Sequence, residues 1–265
     1  MPALVAGTAT AEDKRLARLA ATLDEAAIHV WFIDLAAWSW GDDASVLDAG
    51  ERARAAAFVR PPLRRGFVRA RSALRRVLAM YVNATPAGLG LVAARHGRPA
   101  VAENGAVDFN VSHGGDWLAI AVGRRCTVGI DVELCCARAD DAAFVQRHFS
   151  PNEAALWQLH APERRAALFA QIWTRKEAAL KALGCGLIDD LSGVDAASER
   201  ALRASIERLR KRGRIQASWP AGPLSVHDLV APAGYAAALV TLGDAKTPTT
   251  YRWRGQDLGP WSPRA

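Results

Sequence analysis

Two stretches hold carboxylates and amines at spacings that suit chemistry on a phosphate. Residues 127 to 134, TVGIDVEL, alternate Val128, Ile130 and Val132 with Gly129, Asp131 and Glu133, which is the period of a strand. Asp131 and Glu133 therefore share one face, while Ile130 and Val132 point to a core. Two carboxylates on one strand face repel each other unless a cation lies between them. Residues 172 to 187, IWTRKEAALKALGCGL, are mostly strong helix formers and end at Gly184 and Gly186, where such a helix closes. At ~3.6 residues per turn, Trp173, Glu177 and Lys181 fall on one face with Lys176 beside them. Alone, that face would be a solvated Glu–Lys pair contributing ~0.3 kcal/mol. With the acidic strand, it becomes equipment for holding a hard cation and moving a proton beside a phosphate.

A second group of residues suits anion binding. The strand-like run 107 to 111 leads into Ser112-His113-Gly114-Gly115, read as a loop that offers a hydroxyl and backbone N–H groups to a phosphate, with a plain turn as the alternative. Neighbours on a strand point to opposite sides, so His113 is poorly placed to act as a base for Ser112. Residues 44 to 81 read as helix, split by Pro61-Pro62, and carry nine arginines, Arg54, Arg64, Arg65, Arg71 and Arg76 among them. Nearby acids such as Glu51 are too few to pair them, which leaves a solvated basic face or a phosphate-binding one. Gly97-Arg98-Pro99 reads as a turn between two strand-like pieces.

The elements that must position these groups are a mixture of strands and helices. Residues 28 to 33, IHVWFI, suit a buried strand after a loose or helical lead over 1 to 26. Residues 117 to 122 suit another, which the basic turn 123 to 125 would join to the acidic strand as a hairpin. Helices are expected over 140 to 148 and from Ser150, where Ser-Pro-Asn-Glu supplies a cap, a first-turn proline and an acid at N3. The basic run 208 to 214 reads as a solvated helix end. Strands are expected near 217 to 219 and 235 to 241, and the Pro/Gly-rich tail from Lys246 as poorly ordered.

The chain has 265 residues, 51% hydrophobic and 23% charged, with 34 basic against 27 acidic residues for a net charge of +7. That is globular composition with a bias toward anionic partners. The four cysteines show no zinc-ligand spacing. No leader-like start or long apolar run appears, so the expectation is a soluble, cytoplasmic protein with reduced thiols. A nucleic-acid-binding protein would want stacking aromatics among the arginines, and between Arg60 and Arg76 there is only Phe67.

FNVSHGG at 109 to 115, VGIDVEL at 128 to 134 and WTRKEAALKALGCGL at 173 to 187, in that order, resemble the signature of the 4′-phosphopantetheinyl transferase superfamily in its long, single-chain, pseudo-dimeric class. Weaker echoes are Arg54 before Phe58, the Gly97-Arg98-Pro99 turn and FSPNE at 149 to 153. The resemblance spans about residues 28 to 240. It implies an α+β fold of two similar halves related by a pseudo-twofold, with the active site in the cleft between them. The implied layout is an extension over 1–27, a coenzyme A phosphate-binding half over 28–124, a metal-binding and catalytic half over 125–245 and a tail over 246–265. It also implies transfer of the phosphopantetheine arm of coenzyme A to a serine of an apo acyl or peptidyl carrier protein, with Mg2+ as cofactor and adenosine 3′,5′-bisphosphate as product. By similarity, Asp131, Glu133 and Glu177 would hold the metal, and Glu177 and Lys181 would be catalytic. Arg54, Arg98, Ser112, His113, Lys176 and Lys181 would bind the donor, with Arg64, Arg65 and Arg71 in reserve. A monomer acting without nucleic acid or membrane follows from the same resemblance. A carrier-binding module that had lost catalysis would show a broken acid set, whereas all three acids are present.

Overall fold

The structure, a computed structural model, describes residues 11–24, 27–38, 42–93, 98–102, 107–135, 142–186, 191–215, 222–255 and 257–260. In chain order the elements begin with α1 (Ala11–Ala20), β1 (Ile28–Asp34), α2 (Ala49–Ala56), α3 (Pro61–Tyr81), β2 (Leu91–Ala93) and β3 (Pro99–Val101). Next come β4 (Asp108–Gly114), β5 (Trp117–Gly123), β6 (Thr127–Leu134), α4 (Ala142–His148), α5 (Pro151–Leu159) and α6 (Pro162–Leu183). The chain closes with α7 (Glu199–Lys211), β7 (Leu224–Leu229), β8 (Tyr235–Leu242), β9 (Thr249–Arg254) and β10 (Asp257–Pro260). The fold is α+β, as expected.

One plan is used twice. A strand leads into helices ending in a long one, and a hairpin follows whose second strand pairs back on the first. This gives the orders β4-β5-β1 and β7-β8-β6. The larger sheet gains β9, parallel to β1, and then β10. Strand alternation builds the layers. Trp31, Ile33, Leu118, Ile120 and Val122 face α3, while Ile28, Val30, Phe32, Ala119 and Ala121 meet Val128, Ile130 and Val132 of the smaller sheet. The far face of that sheet, Ala238, Val240 and Leu242, packs against α6. The order is thus α3, five-stranded sheet, three-stranded sheet, α6. Ser150 and Glu153 form the expected capping box at the start of α5.

Several expectations are corrected. The turn at 123 to 125 does not close a hairpin, because both edges of β5 are already paired, with β1 and β4, and β6 joins β8 instead. Ser112, His113 and Gly114 are not a loop; they continue β4 opposite Ala119, Leu118 and Trp117. The tail is not loose after Lys246, since Tyr251 and Trp253 of β9 alternate into the core against Trp31 and Trp38. The lead contributes Ala20 and Leu23 to the same core. The basic run is, as expected, the solvated end of α7, whose Leu202, Ile206 and Leu209 are buried. The strand expected at 217 to 219 lies outside the described residues. Among the described residues no helix is long and apolar enough to cross a membrane.

Candidate functional site

The site is set by how closely α6 lies on β6. A Cβ at Gly129 would stand 2.1 Å from the Ala178 carbonyl oxygen and 2.4 Å from the Ala182 nitrogen, so only glycine lets helix backbone rest on strand backbone. Two residues along the same face is Asp131, 3% exposed. Lys181 in the last turn of α6 reaches it: Nζ donates to Asp131 Oδ1 at 2.6 Å, Ser112 Oγ at 3.0 Å and the Ile130 carbonyl at 3.2 Å. Ser112 also donates to Asp131 Oδ1, at 2.7 Å.

Strand β4 brings Ser112 there by an unusual seam. The edge of β6 away from β8 has backbone N–H groups to satisfy. Asp108 Oδ2 accepts from Val128 N at 2.8 Å and Asn110 Oδ1 accepts from Ile130 N at 2.9 Å. Ser112 is the next step of this period-2 series. Gly114 ends it, since a Cβ there would meet the Val132 carbonyl at 2.5 Å. Sequence reasoning passed over Asp108 and Asn110; their signal was polar residues at 108, 110 and 112 alternating with apolar Phe109 and Val111.

Glu177 lies on α6 one turn before Lys181. Burial first, then the charge of Asp131, push its carboxyl above the usual carboxylate range, and Lys181 pulls the other way. A carboxyl whose ionised form is disfavoured in this way accepts a proton more readily than an ordinary carboxylate. Asp131 Oδ2 is buried and makes no hydrogen bond among the described residues, a costly condition that a hard cation relieves. Glu133 shares the face of Asp131 but lies half-exposed near the strand end. Among the described residues no three acids, histidines or cysteines converge into a metal cage, and the expected set of Asp131, Glu133 and Glu177 relies on water and phosphate oxygens to complete a coordination shell. Asp131 and Glu177 still fit magnesium, which uses one or two carboxylates and takes its other oxygens from water and substrate phosphates.

His113, on the opposite side of β4, lines a cleft of about 700 Å³ together with Arg65, Arg69, Phe67, Gly115 and Asp116. Arg54 stacks over the Phe67 ring at 5.4 Å from its centroid. Arg69, overlooked in the sequence beyond its place in the arginine run, also donates to Asp42 and the Leu35 carbonyl, each at 2.9 Å. The expected donor-binding residues thus divide, with Ser112 and Lys181 on one side of β4 and His113, Arg54 and Arg65 on the other.

Two expected donor-binding residues are elsewhere. Lys176 is fully buried, with Nζ 2.6 Å from Glu153 Oε2 and donating at 2.9 Å to the carbonyls of both His148 and Leu191. One position round the helix from Glu177 turns it away from Asp131, into the packing of α5 and α6. Arg98 donates from Nη1 to the Lys181 carbonyl at 3.1 Å. Its Nη2 donates to Asp108 Oδ2 at 2.7 Å, the Val128 carbonyl at 2.9 Å and the Phe109 carbonyl at 3.0 Å. Of the reserve arginines, Arg71 pairs with Glu51, Arg64 is exposed on α3, and Arg65 alone lines the cleft.

The model of the 4′-phosphopantetheinyl transferase superfamily matches residues 127–240, from β6 into β8. The 4′-phosphopantetheinyl transferase HetI of Nostoc sp. is 33% identical over 166 residues, 60% of this chain and 70% of that protein. The protein slr0495 of Synechocystis sp. is 31% identical over 152 residues, 57% of this chain and 62% of it. The 4′-phosphopantetheinyl transferase AcpT of Salmonella typhi is 35% identical over 115 residues, 43% of this chain and 59% of it. The chain thus spans about three fifths to seven tenths of the lengths of these relatives.

Proposed function

Because the chain belongs to the 4′-phosphopantetheinyl transferase superfamily, we propose that it moves the phosphopantetheine arm of coenzyme A to a serine hydroxyl of an apo acyl or peptidyl carrier protein. The products are the holo carrier and adenosine 3′,5′-bisphosphate. The observation that carries this reading is the Asp131–Lys181–Ser112 cluster beside a Glu177 whose carboxyl is held up by burial. Bound magnesium, held by Asp131 and Glu177 with Glu133 at the strand end, would supply charge neutralisation across the diphosphate.

The residues then divide the work. Glu177 takes the proton of the attacking serine hydroxyl. Lys181 offers its ammonium to the charge that grows on the leaving 5′-phosphate, a contribution that is larger in the transition state than in the ground state. Ser112 orients that ammonium by accepting from it. Across β4, His113 and Arg65, with Arg54 at the Phe67 ring, present positive and hydrogen-bonding groups to the 3′-phosphate end of coenzyme A. The protein would act as a cytoplasmic monomer.

Incubating the protein with coenzyme A, magnesium and a panel of apo carrier proteins, read by intact mass, tests the reading. A phosphopantetheine increment on at least one carrier, absent without magnesium, is the expected result. No increment on any carrier, while a duplex oligonucleotide binds, would replace it with nucleic-acid binding.

A further inference from the structure

We infer that Arg98 is a positioning residue that holds Lys181 in place, and does not grip the phosphates of the donor. The inference rests on the transferase reading for the meaning of Lys181, and on four hydrogen bonds for the role of Arg98. Its side chain is 17% exposed, and the guanidinium is turned inward. Three of its four acceptors are main-chain carbonyls, of Phe109, Val128 and Lys181. The fourth, Asp108, also accepts from Val128 N, so it holds Arg98 and β6 together.

The arrangement closes a ring around the catalytic lysine. Lys181 lies in the last turn of α6, where carbonyls lack full helical partners and a cation is favoured by the helix dipole. Arg98 ties that carbonyl to Val128 on β6, and the side chain of the same lysine reaches Ile130 and Asp131 further along the strand. Main chain and side chain of Lys181 are thus pinned to β6 at two separate points. Arg98 itself precedes β3, and Asp108 and Phe109 belong to β4, so the ring also joins the two halves. Lysine at position 98 would keep the charge but lose the planar fork that spans four acceptors in different directions.

The test uses the full chain with an apo carrier protein and two donors, coenzyme A and 3′-dephospho-coenzyme A, comparing the parent protein with Arg98→Lys and Asp108→Asn. Arg98→Lys is expected to lower kcat at least tenfold with both donors while KM for coenzyme A moves less than threefold. Asp108→Asn should show the same pattern to a smaller degree, and serves if Arg98→Lys folds poorly. A readout independent of transfer is acetylation of Lys181 by a small acylating reagent, followed by peptide mass, which should speed up severalfold in both variants. A tenfold rise in KM for coenzyme A with kcat kept, and no such rise with 3′-dephospho-coenzyme A, would assign Arg98 to the 3′-phosphate and overturn the inference. Unchanged kcat and unchanged Lys181 reactivity would overturn it too. Absence of transfer in the parent protein counts against the transferase reading instead, and the acetylation rates still decide the role of Arg98.

Discussion

The two long helices, α3 of 21 residues and α6 of 22, sit on sheets of the same strand order yet meet them differently. Helix α3 lies over Trp31, Phe109 and Trp253, with Tyr251 stacked on Trp31. Four of its arginines are engaged by acids of its own half: Arg71 and Arg75 by Glu51, Arg69 by Asp42 and Arg76 by Asp43. Helix α6 lies over Gly129 and Ala238 with its own Ala178, Ala179 and Ala182 against them. The size of the side chains between helix and sheet sets their separation. Bulky rings make α3 a core helix, whereas small residues bring Lys181 within 2.6 Å of a buried strand carboxylate. The proposed chemistry lies where the shared plan is thinnest.

The comparison is tested hardest by the buried pair of the second half. Lys176→Met leaves Glu153 buried without its cation and should cost ~4 kcal/mol, while Lys176→Met with Glu153→Gln should recover much of the loss. Urea unfolding of the three proteins checks this. Turnover per folded molecule should stay within about twofold, because Lys176 lies away from Asp131; a large loss of turnover would return it to the site.

Close approach comes next. Gly129→Ala sets a methyl group against α6 backbone and should destabilise by ~3 kcal/mol with loss of transfer. A cost within ~0.5 kcal/mol would show that α6 can retreat without penalty, and the contrast with α3 would be empty.

In the first half, the aromatic seam should reveal itself through pH. Trp31 Nε1 donates to the Tyr81 hydroxyl at 2.8 Å, which leaves the tyrosine proton for His29 Nδ1 at 2.9 Å. Burial lowers the His29 pKa from 6.5 to about 4, so the unfolded chain takes up a proton that the folded one refuses. Stability is full above pH 6.5, and falls as pH drops from 6.5 toward 4, by ~2–3 kcal/mol. His29→Gln should flatten that slope in urea titrations, and an unchanged slope would assign it to other groups.

A smaller effect is expected at the cleft. His113→Ala should weaken coenzyme A binding about tenfold, or ~1.4 kcal/mol, and shrink the preference over 3′-dephospho-coenzyme A. Calorimetry with both ligands decides it, and equal loss for both would mean a structural histidine.

The sequence revealed elements whose signal is local and periodic: β1 and β6 by their apolar runs, α6 by its helix formers, α5 by its capping box. Alternation and helical pitch showed which side chains share a face within β6 and within α6, while the joining of Asp131 with Glu177 across the two elements was implied by the family resemblance. What could not be read depends on tertiary partners. The Gly-Arg-Arg turn at 123 to 125 looks like a hairpin until both edges of β5 are filled. Lys176 looks like a neighbour of Glu177 until Glu153 is brought beneath it. Arg98 reads as a donor-binding residue until its acceptors are seen, because three of them are main-chain carbonyls that carry no residue identity. Strand β9 was hidden by the Pro and Gly around it, although Tyr251 and Trp253 already showed its alternation.

Glu177→Gln tests the central claim, that the α6–β6 junction carries the transfer. Burial and Asp131 disfavour the ionised carboxylate, so the neutral amide should raise the melting temperature of the metal-free protein. With no group left to take the serine proton, transfer to an apo carrier protein, followed by intact mass, should fall at least about a hundredfold. Transfer at a near-normal rate in that variant would contradict the account.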